Sequence, residues 1–138
     1  MTEPFDNKKK VVVYDCGEAI TFSTDEVLNV GQEVRLKGDN TVGARTATTQ
    51  IPIGVVTVKS NTEDTNVVVN TGFSQVLNGV AGATLTAGTY VKQNGSFTNG
   101  LPQYVAAASG DIALGYTLIG GASGSVIRVG TLKSPKTI

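Results

Sequence analysis

The 138-residue chain carries 11 basic and 11 acidic side chains, no histidine and a single cysteine, Cys16. Sparse, balanced charge leaves no source for the phosphate attraction that dominates nucleic-acid binding. The lone thiol excludes an internal disulfide and a thiolate metal cluster, and the missing imidazole removes the commonest general base and metal ligand.

At this length one domain is expected, with roughly two thirds of the unfolded chain's surface removed from water. The chain opens with "MTEPFDNKKK", acidic before it is basic and without an apolar h-region. No apolar run approaches the roughly 18 residues of a membrane helix, so neither a signal peptide nor a membrane span is expected. Lys8, Lys9 and Lys10 read as a solvated flank before the strand-like "KKVVVYD", the other reading being contact with an acidic surface. Cys16 reads as a small buried hydrophobe, in keeping with assembly in a reducing cytoplasm. Residues 1–25 are set apart as an N-terminal arm with its first strand, and 26–138 as a β-rich domain.

Along that domain valine, threonine and isoleucine recur in short bursts, among them "EVRLK", "IGVVTVK", "NVVVN", "TYVKQ", "GYTLIG" and "SVIRVG", each closed by Gly, Asn, Asp or Ser. Val34 and Leu36 alternate with Arg35 and Lys37, the period of a half-buried strand. Helix signals are weak. "STDEVLN" supports at most one turn, and "LPQYVAAAS", with Pro102 at a helix-start position and Gly110 as a stop, reads either as a short helix or as an extended loop. Asn94-Gly95 is a two-residue hairpin signal, Gly38-Asp39-Asn40 a looser turn. "GGASGS", residues 120–125, reads as a hairpin turn rather than a phosphate cradle, because the strand-like "VIRVG" follows it where a helix should.

Three phrases occur twice in the same order. A shift of 57 lays Leu28 on Leu85, Gly31 on Gly88, Val34 on Val91, Arg35 on Lys92 and Gly38 on Gly95; a shift of 61 lays Ile51, Ile53 and Gly54 on Ile112, Leu114 and Gly115. "TNVVVNTGF" then falls on "GSVIRVGTL" at a shift near 59. Two copies are too few for a solenoid. The expected fold is therefore all-β, a small sandwich or barrel built from two similar β-units (residues 26–77 and 83–133) paired around a pseudo-twofold, with at most short helical turns.

Chemistry is hard to find. The acid pairs Asp25/Glu26 and Glu63/Asp64 read as solvated turn acids, since neighbours on a strand face opposite ways. "NTEDTN" offers too few converging oxygens for calcium, and Cys16 has no partner base. No enzyme, cofactor or metal is expected. Beyond Asp64 the only acid is Asp111, against Lys92, Arg128, Lys133 and Lys136, so the second half is mildly basic.

The run "IPIGVVTVKSNTEDTNVVVNTGFSQVL", residues 51–77, resembles the heart of tailed-phage capsid decoration proteins, in which a P-[IV]-G-[IV] strand, a polar turn, a β-rich strand and a short G-[FTV] phrase follow in that order. The preceding "VLNVGQEVRLKGDNTV" is similar to the opening phrase of the capsid cement family, and the likeness extends over residues 26–132. The resemblance implies a β-rich homotrimer on the capsid exterior of the virion, made in the host cytoplasm, whose partner is the major capsid protein. It implies no catalytic residue, no cofactor, no nucleic acid and no membrane. A head-fibre protein with a capsid-anchoring base is a neighbouring family. Under this reading Lys9, Lys10, Val11, Val12, Val13 and Tyr14 are the first candidates for capsid contact, by addition of a terminal strand to a sheet edge of the shell; the other reading makes them a strand of the chain's own sheet. The alternative function is a carbohydrate-binding β-module, or a head-fibre adhesin base, that takes a surface glycan on Tyr90, Tyr104 and Tyr116, tryptophan being absent.

Overall fold

The computed structural model describes residues 11–15, 19–47, 50–58, 66–71 and 75–138, and each of its eleven elements is a β-strand. Strand β1 (Val12–Asp15) precedes two five-stranded units. The first comprises β2 (Ala19–Ser23), β3 (Glu33–Gly38), β4 (Thr41–Ala44), β5 (Gly54–Val58) and β6 (Asn66–Asn70), closed in the order β2-β4-β3-β5-β6. The second comprises β7 (Gln75–Ala81), β8 (Tyr90–Thr98), β9 (Leu101–Ala106), β10 (Ile112–Ile119) and β11 (Val126–Thr137), in the order β7-β11-β10-β8-β9 with β9 returning to β7. The two orders are the same when each strand of the first unit is matched to the strand five places later.

Each unit thus closes its own barrel instead of contributing half of one. The closing contact is parallel in both, Ser23 against Thr41 and Val80 and Ala81 against Gln103 and Tyr104, while the other pairings within the barrels are antiparallel. Unit boundaries sit outside the repeated phrases: β2, inside the segment assigned to the arm, is a stave of the first barrel, and β7, across residue 77, opens the second.

The repetition holds at single hydrogen bonds. Gly31 N–H donates to Val56 O and Gly88 N–H to Thr117 O; Val56 N–H donates to Gln32 O and Thr117 N–H to Thr89 O. Gly31 and Gly88 have φ of 89° and 85°, so the shared L-x-x-G phrase marks a backbone that disfavours any side chain. The phrase apolar-x-apolar-Gly has a different cause. A Cβ on Gly54 would sit 2.2 Å from Asn70 O, and one on Gly115 2.3 Å from Gly130 O, because β5 and β10 cross the next strand there with backbone against backbone. The third phrase aligns at a shift of 60: Val56 pairs with Val69 as Thr117 pairs with Val129, which also stacks Val67 on Ile127.

Alternation sends one set of side chains inward. Leu28, Val34, Val42, Val56, Val67 and Val69 fill the first barrel; Leu77, Ala81, Leu85, Val91, Tyr104, Leu114, Ile127 and Val129 fill the second. Val55 points the other way from Val56 and joins the second core, so the barrels share apolar packing.

Two local expectations are corrected. "LPQYVA" is neither helix nor loop but β9, since Leu101, Pro102 and Tyr104 are buried there and Gly79 opposite leaves room for the tyrosine ring. The hairpin between β8 and β9 turns at Asn99-Gly100, with φ of 51° and 80°, while Asn94-Gly95 forms an irregularity inside β8 where the register shifts between Gln93 and Phe97. The expected turns at Asp39-Asn40 and at residues 120–125 are present. "STDEVLN" makes only a bend, in which Thr24 Oγ1 accepts from Glu26 N–H at 3.3 Å.

Gly115→Ala is expected to destabilise the fold by roughly 2–3 kcal/mol through backbone overpacking. Gly38→Ala, with open space around the added methyl, should stay within about 0.5 kcal/mol of the parent. Paired urea-unfolding curves check both.

Candidate functional site

The arm residues come first. Val11 O accepts from Asn78 N–H at 2.8 Å, and Val12 and Tyr14 pair with Leu77 and Val76. β1 is therefore an edge strand of the chain's own sheet, lying along the first half of β7 while β9 takes the second half of the same strand edge. Lys9, Lys10 and Cys16 lie outside the described residues, as do Glu63 and Asp64.

Polar chemistry gathers between the barrels. A cleft of about 320 Å³ is lined by Glu33, Arg45 and Thr46 from the first and Lys92, Gln93 and Asn94 from the second. Glu33 and Arg45 are both nearly inaccessible, with Arg45 Nη1 3.3 Å from Glu33 Oε2. Burial outweighs this long contact, and the Glu33 carboxyl is pushed from its ordinary 4.5 to about 7. Lys92 Nζ donates to Asp111 Oδ2 at 2.6 Å. Gln93 joins the two barrels: its Nε2 donates to Gly31 O at 2.6 Å and lies 3.1 Å from the Tyr104 hydroxyl, and its Oε1 accepts from Glu33 N–H at 3.0 Å.

The two ion pairs each lie within one barrel, Glu33 with Arg45 and Lys92 with Asp111, and Gln93 supplies the polar link between the barrels. Asp25 and Glu26 converge on a single ammonium, Lys37 Nζ, at 2.7 and 3.3 Å, because they sit in a bend rather than on a strand. Lys37 holds the Asp25 carboxyl below its usual range. Among the described residues no group of three His, Cys, Asp or Glu side chains is placed to hold a metal.

The three tyrosines part company. Tyr104 is fully buried, its hydroxyl facing Gln93, and burial pushes its ionisation far up; it cannot meet a ligand at the surface. Tyr90 and Tyr116 are cross-strand neighbours, each 37% exposed, with Leu118 exposed two residues beyond Tyr116. Lys136 Nζ lies 4.5 Å from the centre of the Tyr90 ring and donates to its hydroxyl at 3.2 Å.

Sequence reasoning passed over Glu33, Arg45 and Gln93. The available signal was a polar residue beside a strand's apolar positions, which ordinarily means a solvated face.

No protein-family model and no curated protein sequence matches the chain. Among solved structures, the crystal structure of the N base of head fiber gp8.5 in bacteriophage phi29 is similar, with a TM-score of 0.56 and 14% identity over 88% of this chain and 98% of that one. The two share a fold.

Two measurements probe the inter-barrel contact. Gln93→Leu leaves the Glu33 N–H and the Gly31 carbonyl without their partner and should cost roughly 2–4 kcal/mol in chemical denaturation. For Glu33, the folded state keeps a proton that the unfolded state releases between pH 4.5 and about 7. The stability from this group is complete below pH 4.5 and is lost as pH rises through about 7, on the order of 3 kcal/mol in all. Denaturation midpoints at pH 5 and pH 8 should therefore differ less in Glu33→Gln than in the parent.

Proposed function

We propose that the chain is a structural protein of a tailed-phage head, related in architecture to head-fibre bases, that docks on the outside of the assembled shell and performs no catalysis. The carrying observation is the tandem-barrel fold shared with a phage head-fibre N base along nearly the whole of both chains. The order of phrases over residues 26–132, which resembles capsid decoration proteins, supports the same reading.

The mechanism is thermodynamic. A protein that binds the closed shell and not its free subunits stabilises the shell by mass action, and a footprint across neighbouring subunits adds contacts that must break before the shell opens. As a homotrimer it would make three weak footprints act together. Strand β1 supports the arm's part in docking, because its edge away from β7 has no partner among the described residues.

A glycan is the second reading, favoured by the exposed Tyr90 and Tyr116 pair. Sugar rings stack on such faces, although Lys136 already occupies one side of Tyr90.

Purified protein is expected to co-sediment with undecorated phage shells, and light scattering should give the mass of a trimer. Deleting residues 1–10 should lower shell occupancy several-fold. A monomer that ignores shells yet binds glycans would overturn the proposal, and unchanged occupancy after the deletion would remove the arm from it.

A further inference from the structure

The duplication provides an internal comparison for one groove of the first barrel, about 520 Å³ in volume and lined by Arg35, Leu36, Gln50, Ile51 and Ile53. Leu36 is 52% and Ile51 65% exposed, among the most exposed large apolar side chains described. Arg35 Nε is buried without a hydrogen-bond partner, and among the described residues no carboxylate pairs with this guanidinium. A buried donor without an acceptor is costly, and this one belongs to the half-buried cation of Arg35.

The second barrel resolves each of these features internally. Lys92, at the place of Arg35, is paired with Asp111, at the place of Gln50. Both of these residues cap the same turn: Gln50 Oε1 accepts from Ala47 N–H at 3.1 Å, and Asp111 Oδ2 from Ala108 N–H at 2.7 Å. The amide of Gln50 keeps the turn but supplies no charge. Ile112 and Leu114, at the places of Ile51 and Ile53, are half-buried and buried. They lie beside the long end of β11, in which Thr137 pairs with Ile112 and Ile138 N–H donates to Asp111 O at 2.8 Å. The matching strand β6 stops at Asn70, so no described strand runs on to cover residues 50–53.

We propose that this groove is a docking site for a segment of the shell subunit that carries a carboxylate flanked by apolar side chains, the carboxylate pairing with Arg35 as Asp111 pairs with Lys92. This rests on the shell-docking reading above. Pro52 stands where the second barrel has Ala113 and offers no N–H, so recognition comes from side chains in the groove rather than from a full strand ladder. The charge is what selects the partner: an apolar segment alone would leave the guanidinium buried and unpaired.

The decisive variant is Gln50→Asp, which copies the second barrel and gives Arg35 an internal carboxylate. It should fold at least as stably as the parent while shell occupancy falls roughly tenfold, the loss expected when a charge-assisted contact is taken away. Arg35→Gln should lose a similar factor, and Lys136→Gln, which removes the same charge from the other barrel, should leave occupancy unchanged. Occupancy equal to the parent's in both groove variants, or an equal loss in Lys136→Gln, overturns the groove while leaving shell docking intact. If the parent itself ignores shells, the shell reading fails and the groove is judged by NMR titration with a blocked hexapeptide holding one central aspartate between leucines. Shifts at residues 35 and 50–53 that vanish for the asparagine peptide uphold an acid-selective groove, and no shifts dismiss it.

Discussion

Two short parallel contacts decide the architecture. Ser23 beside Thr41 and Val80 and Ala81 beside Gln103 and Tyr104 turn each open five-stranded sheet into a barrel. Closure removes strand edges, which are otherwise a standing invitation to pair with other chains. Among the described residues, two places that keep no strand neighbour are the outer edge of β1 and residues 50–52 before β5. A sheet of the same sequence left open would expose long ladders and would have no preferred partner.

Closure also explains why the glycines repeat. A five-stranded barrel is narrow, and its strands coil so tightly that β5 and β10 must pass the neighbouring backbone where Gly54 and Gly115 sit. The repeated unit is therefore a steric solution, and the two copies are free to differ wherever that solution is not involved. They differ at Val42 and Tyr104, a small and a large core residue in equivalent positions, with Gly79 making space for the larger one. They differ again at Gln50 and Asp111, and in the length of β6 and β11. Retained backbone hydrogen bonds beside altered side chains are what duplication followed by separate uses would leave.

The parts of the fold legible in the sequence are those imposed by one residue's own backbone. Gly31 and Gly88 announce a positive φ, and Gly54 and Gly115 a close crossing, so the phrases containing them align at their structural shifts of 57 and 61. The third phrase holds no such marker, and valine-rich strands slide over one another without penalty on paper; its shift of 60 is fixed only by pairing with β5 and β10. Asn94-Gly95 and Asn99-Gly100 carry the same local signal, and the choice between them depends on where β9 finds β7. Tyr104 and Gln93 were illegible for a related reason: a tyrosine in a strand is surface or core according to which barrel wall faces it, and Gln93 acquires its meaning from Gly31 and Glu33, some sixty positions away.

For the docking proposed above, the inter-barrel contact matters through the fixed placement of the two barrels. Gln93 makes its bonds to backbone groups of the first barrel from a strand of the second, and Val55 lends the first barrel's wall to the second core. Two barrels held by buried polar bonds and shared apolar packing present their outer faces at a fixed separation. Association then loses little further conformational freedom, whereas two barrels on a loose tether would have to be ordered each time they bound.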